Sequence, residues 1–405
     1  MTIGNSRASH VDTPRIVGTL LGAGLIAPRY GTAALSDVMP SVLTALGVAG
    51  EANVLELAPQ RRVCVLLVDG LGWELLRIHR DEAPVLNDLA DRAGRVFTAG
   101  FPTTTTSSLT SLGVGVPAGQ HGMTGYQVRV PGTRRLLNAL QWDARIDPRE
   151  WQPCRTALQR AEAAGVTVTS VAPVKFKGSG LTEASLRGGR YVGVDDPSER
   201  ARAAGLAMIG DGSTVGGPTL TYVYYGAVDR TGHVHGCKSP EWRASLVAAD
   251  AFTGELMASM PPDALLVVTA DHGMVDIDAA QIVDVADNPA LQVGVEMLAG
   301  EGRSRYVHVR PGAIDDALSI WREELENGFC VLTRAEAIGA GLLGPIVSPA
   351  AADRVGDLVV LAQGSGAVFD RRVDSRTVMA LIGQHGSLTA AELLVPLLLH
   401  QSPPA

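Results

Sequence analysis

Three apolar runs in this 405-residue chain each lead into side chains that bind metals or move protons. Asp69 follows residues 63–68 directly, and Asp271 and His272 follow residues 265–270. Asp229 comes shortly after residues 220–225, with His233 one helical turn further on. Continuous apolar runs of this length read as strands buried on both faces, as in a parallel sheet. In open α/β sheets ligands sit beyond the carboxyl ends of the strands, so all three runs would deliver these groups to one edge. Carboxylates gathered there cannot all stay ionised unpaired. A divalent metal removes the conflict, and mixed Asp/His ligation suits zinc or a similar first-row ion. Each residue also has a plainer reading: an aspartate after a strand is often a helix cap or turn residue, and Asp69-Gly70 fits a turn. Asp271-His272-Gly273 is the sharper signal, because an adjacent Asp and His with a glycine pivot can face one ion.

A second feature is the hydroxyl run Phe101-Pro102-Thr103-Thr104-Thr105-Thr106-Ser107-Ser108, which opens an expected helix. A helix N-terminus offers free N–H groups and the positive end of a dipole, which suit a phosphoryl oxygen. A hydroxyl placed there becomes a useful nucleophile only when a metal or base lowers its pKa. On composition alone, a threonine-rich cap and turn is the simpler account.

The rest of the chain must position these groups. Strands are expected at 63–68, 166–171, 220–225 and 265–270, with weaker ones at 306–309 and 358–361. Helices are expected at 35–46, from Trp73 onward and over 242–257. This alternation predicts an α/β fold: a three-layer α/β/α sandwich around a central, mostly parallel sheet, with a small inserted cap region. Residues 1–60 are expected to pack on a core domain of residues 61–402. Within it, 127–165 (rich in Arg, Pro and Trp) and the Gly-rich 178–217 read as cap or loop insertions near the site. A net charge of −8 gives no field for a nucleic-acid backbone or an anionic membrane surface. Four cysteines without C-x-x-C spacing read as reduced thiols of a cytoplasmic protein. The apolar stretch 16–27 imitates a signal-peptide core, but three glycines interrupt it and no clear cleavage site follows. It falls short of the roughly 20 apolar residues a membrane span needs.

Taken together, Val-Asp69-Gly, Phe-Pro102-Thr-x-Thr105, Asp229-Arg-Thr-Gly-His233, Asp271-His272-Gly-Met and Gln-His385-Gly resemble the alkaline phosphatase superfamily, in the order of its type I phosphodiesterase/nucleotide pyrophosphatase branch. The resemblance runs from about Arg62 to Leu398 and is close only at the motifs. It implies a catalytic domain with two zinc ions, manganese or iron being the alternatives. One would be held by Asp69, Asp271, His272 and the Thr105 oxygen, the other by Asp229, His233 and His385. It also implies Thr105 as the nucleophile, with Thr104 and Thr106 as the alternatives. The slot in which this branch places an Asn on the phosphoryl group falls at or beside Tyr126 here. That departure leaves open whether Tyr126 binds substrate or packs in the core.

The resulting expectation is a phosphodiester or pyrophosphate hydrolase acting through a phosphothreonine on a small substrate such as a nucleotide. A phosphomonoesterase, a phosphonate hydrolase and a silent metal-binding scaffold are the alternatives. A phosphoethanolamine transferase shares the Thr nucleophile but is normally membrane-anchored. No nucleic-acid polymer or membrane partner is expected, and the oligomeric state is not readable. His121 reads as structural and His235 as a loop residue, while Cys237 would break an Asp/His ligand pattern. Lys175 and Lys177 could touch a substrate anion or simply be solvated.

Overall fold

The computed structural model describes residues 22–210 and 217–404, together with Gly18 and Leu20. Residues 16, 17, 19 and 21 of the apolar stretch 16–27, and residues 211–216 of the second expected insertion, lie outside the described residues. Seven strands form the central sheet: β1 (Arg62–Val68), β2 (Arg95–Thr98), β3 (Thr167–Ala172), β4 (Arg190–Gly193), β5 (Thr219–Tyr225), β6 (Ala264–Thr269) and β11 (Leu394–Gln401). Their order is β2-β11-β6-β1-β5-β3-β4. Strands β6, β1, β5, β3 and β4 pair in parallel, and β11 runs antiparallel to both of its neighbours. In β1 every residue after Arg62 is buried, which is why the run carries no polar alternation. Burying each of these side chains contributes about 1.5–3 kcal/mol.

Helices cover both faces of the sheet. Helices α2 (Pro84–Ala93), α5 (Pro197–Ile209) and α7 (Pro240–Ser259) pack together as one layer. Helices α1 (Val38–Ala45), α3 (Thr105–Val114) and α4 (Ala157–Ala163) form the other, and α6 (Ala227–His235) packs on α7. In the N-terminal region Leu35, Val38 and Met39 are fully buried, and the Tyr30 hydroxyl donates to the Leu342 carbonyl at 2.8 Å. No helix among the described residues is long and apolar enough to cross a membrane.

Two parts of the fold differ from the sequence reading. The expected loop insertion 178–217 contributes β4, an edge strand of the main sheet, and the 13-residue helix α5. That helix packs through small residues: a Cβ on Gly205 would stand 2.4 Å from the Ser259 carbonyl oxygen. Apart from Arg200 and Met208 its buried residues are Ala and Gly, which hides the usual periodicity. The weak strands near 306–309 and 358–361 lie outside the central sheet. They belong to a separate antiparallel sheet, β7 (Val295–Glu301), β8 (Ser304–Val309), β10 (Leu358–Ala362) and β9 (Phe329–Thr333), in that order. Helix α8 (Ile314–Glu324) closes a second core on it through Ala317 and Trp321. Residues 127–165 hold a short hairpin, 127–129 with 136–138, followed by short helices.

Candidate active site

The register of the central sheet brings the strand ends level. Val68 pairs with Tyr225 and Leu67 with Thr269, so the chain leaves β1, β5 and β6 at one edge. The Asp69 N–H donates to the Tyr225 carbonyl at 2.9 Å, and the Asp229 N–H donates to the Asp69 carbonyl at 3.1 Å. Gly70 makes this approach possible. Its φ is +76°, and a Cβ there would stand 2.8 Å from the Asp229 Cα. Asp271 Oδ1 accepts from the N–H groups of Gly70 and His272, each at 3.1 Å. Helix α6 sets Asp229 and His233 on one face, one turn apart, with Oδ1 and Nε2 separated by 3.3 Å. His385 arrives from the far end of the chain and is fixed against the nucleophile turn through Thr103.

The three imidazoles have defined tautomers. His272 Nδ1 lies 2.9 Å from the Gly273 carbonyl, His233 Nδ1 2.7 Å from that of Gly383, and His385 Nδ1 2.8 Å from that of Thr103. A carbonyl only accepts, so each Nδ1 carries the proton and each Nε2 presents a lone pair. These lone pairs converge. His233 Nε2 and His385 Nε2 are 3.3 Å apart, and Asp229 Oδ1 lies 3.7 Å from the latter. His272 Nε2 is 3.5 Å from both Asp69 Oδ1 and Asp271 Oδ2. Asp69 Oδ1, Asp229 Oδ1 and Asp271 Oδ2 are buried and have no hydrogen-bond partner. Acceptors facing acceptors at these distances repel each other, and a cation between them relieves the repulsion. The donor set therefore fits divalent metal.

Among the described residues, two groups of ligand atoms lie within 4.8 Å of one another: Asp229, His233 and His385, and Asp69, Asp229 and His272. The first is the expected trio. In the second, Asp229 joins Asp69 and His272, while Asp271 approaches through its Oδ2. Burial, and then the Asp271 and Asp229 charges, push Asp69 well above the usual carboxylate range. Burial likewise raises Asp271, opposed by His272. His385 is driven well below the usual imidazole value by burial and by His272 and His233. Its ring stacks on that of His272 with centroids 3.6 Å apart.

Thr105 begins α3 and places its Oγ1 3.1 Å from His272 Nε2. It is the half-exposed member of a run whose other hydroxyls, Thr103, Thr104, Thr106, Ser107 and Ser108, are buried. Tyr126 is half-buried, and its hydroxyl oxygen accepts from Asn138 Nδ2 at 3.0 Å. His121 is enclosed: Ser111 Oγ lies 3.0 Å from its Nε2, the Met123 N–H donates to its Nδ1, and burial pushes it down to about 3. His235 is exposed and Cys237 buried, and neither belongs to a ligand group. Lys175 and Lys177 are exposed on a turn whose Phe176 meets the Tyr224 ring edge-on.

Sequence reasoning missed three contributors. Tyr224 donates its hydroxyl to Asp69 Oδ2 at 2.5 Å. Glu392 accepts from Arg303 through both oxygens, at 2.9 and 2.6 Å, and from the Ser387 N–H, tying the His385 loop to the antiparallel sheet. Glu301, from that same sheet, packs against the His385 loop, where a Cβ on Gly386 would stand 2.8 Å from its Cγ.

The family model for type I phosphodiesterase/nucleotide pyrophosphatase matches residues 63–388, a span that includes Asp69, Thr105, Asp229, His233, Asp271, His272 and His385. The chain belongs to this family. Among curated relatives, it is 36% identical over 122 residues to a phosphopentomutase of Methylobacterium radiotolerans, covering 30% of this chain and 27% of that protein. It is 28% identical over 264 residues to human ectonucleotide pyrophosphatase/phosphodiesterase family member 7, covering 61% of this chain and 55% of that protein. The chain thus spans about a quarter and about half of the length of these two relatives. Among solved structures, an inactive murine ectonucleotide pyrophosphatase/phosphodiesterase 5 in complex with AMP aligns with a TM-score of 0.66 at 16% identity, over 85% of this chain and 89% of that one. Phosphonoacetate hydrolase from Sinorhizobium meliloti 1021, in complex with phosphonoacetate, aligns with a TM-score of 0.65 at 22% identity, over 85% and 92%. The chain shares the alkaline-phosphatase-like α/β fold of these two structures.

Proposed function

We propose that the protein is a metal-dependent phosphodiester or pyrophosphate hydrolase that acts on a small substrate such as a nucleotide through a covalent phosphothreonine at Thr105. The observation that carries this reading is the convergence of imidazole lone pairs and unpartnered carboxylate oxygens on one another, with the Thr105 hydroxyl 3.1 Å from one of those lone pairs, that of His272 Nε2. Asp69, Asp271, His272 and Thr105 would hold one divalent cation, zinc in this proposal, and Asp229, His233 and His385 a second. Bound there, the pair would supply Lewis acidity at the attacking and leaving oxygens and keep Thr105 ionised near neutral pH.

The chain's own groups then act in order. The first-turn amides of α3 have no intrahelical acceptor and suit the non-bridging phosphoryl oxygens. Thr105 Oγ1 forms a bond to phosphorus as the bond to the departing alkoxide or phosphate breaks. Water then attacks the phosphothreonine, releasing the phosphoryl product and restoring the hydroxyl. The Tyr126 oxygen accepts from Asn138, which leaves its proton free to donate towards the phosphoryl group. All four cysteines are free thiols, and the cytoplasm is the compartment we propose with this activity.

A second reading, phosphonate hydrolysis, is favoured by Tyr126 in the asparagine slot and by the likeness to a hydrolase that binds phosphonoacetate. Rates of zinc-loaded protein on bis(p-nitrophenyl) phosphate, p-nitrophenyl phosphate and phosphonoacetate separate the cases. A diester-to-monoester ratio well above one supports the proposal, and turnover of phosphonoacetate alone supports the second reading. Silence on all three overturns both.

A further inference from the structure

Thr103 stands just ahead of α3 and is fully buried. It meets residues 385–387 through four hydrogen bonds. Its carbonyl accepts from His385 Nδ1 at 2.8 Å, and its N–H donates to the Gly386 carbonyl at 3.2 Å. Its hydroxyl works in both senses: Oγ1 accepts from the Gly386 N–H at 3.0 Å and donates to the Ser387 carbonyl at 2.7 Å. A hydroxyl has one proton to give and lone pairs to accept with, so both partners are satisfied at once. By contrast, the hydroxyls of Thr106, Ser107 and Ser108 in the same run are buried without a partner. Gly386 has no side chain to hold the loop, and none would fit: its φ is +140° and a Cβ would stand 2.8 Å from Glu301 Cγ. One turn therefore addresses both imidazoles of the site, with Thr105 Oγ1 3.1 Å from His272 Nε2 and Thr103 on His385.

We propose that Thr103 is a positioning residue for the second cation: its hydroxyl clips the 385–387 backbone to the nucleophile turn and so aims His385 Nε2 at Asp229 and His233. This role rests on reading those three residues as a cation site. The Thr103 carbonyl fixes the tautomer and direction of the His385 ring while the loop stays in register with it, and the hydroxyl maintains that register. A valine of the same shape would leave the Gly386 N–H and the Ser387 carbonyl buried and unpaired, which the loop relieves by moving off the turn. His385 Nε2 lies 3.3 Å from His233 Nε2 and 3.7 Å from Asp229 Oδ1, and both of those residues ride on α6. These distances therefore depend on the clip. Asp69, Asp271 and His272 follow β1 and β6 directly, so the first cation's protein ligands are placed without it.

The test compares Thr103→Val, which removes donor and acceptor, with Thr103→Ser, which keeps both. Competition with a chromogenic chelator reads the zinc affinity of each site, with metal content and Tm measured alongside. Thr103→Val is expected to weaken one zinc site about 10–100-fold, the scale of losing the group that orients a metal-binding histidine. The other site, and both sites of Thr103→Ser, should hold within about threefold. Because Thr103 acts through His385, Thr103→Val should add nothing to the loss in His385→Ala. Unaltered affinity in Thr103→Val, equal weakening of both sites, or a full added loss in the double variant overturns the proposal. If Thr103→Val fails to fold, hydrogen exchange on chelated wild type decides. A protected Gly386 amide supports the role, and free exchange until zinc is added overturns it, since the cation would then build the loop. Zinc binding is read without turnover. A wild type that binds two zinc ions but hydrolyses no ester sinks the hydrolase reading and leaves this role standing, whereas one that binds fewer than two overturns this role.

Discussion

Thr105 is separated from five similar hydroxyls by a single contact, its 3.1 Å approach to His272 Nε2. Replacing it with Ala should cut turnover about 10³-fold or more, since no neighbouring group can take over the bond to phosphorus. Thr106 Oγ1 is buried without a partner, so Thr106→Val should leave the rate within a few-fold in the same assay of steady-state rates. Equal losses in both variants would disqualify Thr105 as the nucleophile. Tyr126→Phe tests the departure from the family's asparagine. Loss of one donor to a phosphoryl oxygen should lower kcat/KM about tenfold, and an unaltered value would return Tyr126 to a packing role. At this scale the sequence was informative wherever chemistry sat directly behind a buried strand. Asp69 and Asp271 follow apolar runs whose length and lack of alternation mark the strand end by themselves. Glu301 and Tyr224 were not legible, because a carboxyl or phenol inside a strand is assigned to a site only by what the fold places against it.

The hairpin turn between β7 and β8 is the element that braces the site from behind. Arg303 and Glu392 are fully buried and bidentate, and Glu392 also accepts from the Ser387 N–H beside the His385 loop. Glu392→Ala would leave the Arg303 guanidinium buried and uncompensated, at a cost of about 3–5 kcal/mol. Denaturant unfolding should register that loss, together with weaker zinc retention, because Gly386 and Thr103 are hydrogen-bonded to each other one step away. A stable variant with full metal content would show that the loop is held by other contacts. The same element explains why part of the fold resisted sequence reading. Local pattern marked 306–309 and 358–361 as strands, but sheet membership depends on pairings between β8 and β10 that are far apart in sequence. Helix α5 escaped for a different reason: apart from Arg200 and Met208 its buried residues are alanine and glycine, so its close packing on α7 leaves no repeated large-apolar period to detect.

Across the whole molecule, one end of the central sheet concentrates charge that the metal-free fold tolerates poorly. Asp69 and Asp271 are raised above their ordinary values chiefly by burial. A carboxyl raised in the folded state contributes stability that is fully present below its unfolded pKa and is lost as pH climbs through the folded value. His385 is lowered, so its contribution runs the other way: it is present above the ordinary imidazole pKa and is lost as pH falls. Above pH ~6.5 the histidine contribution is complete, and the carboxylates alone set the remaining slope. Chelated protein should therefore lose stability as pH rises above neutrality for as long as a raised carboxyl is still titrating. Cation binding requires the deprotonated ligands and so strengthens over the same range. The gap in Tm between zinc-loaded and chelated protein should then be wider at pH 8 than at pH 5. Zinc at about 100 times its Kd would contribute roughly 2.7 kcal/mol for one site. A gap that is flat or narrows with pH would mean that these side chains do not share a cation. The converging lone pairs would then need a proton rather than a metal to hold them together.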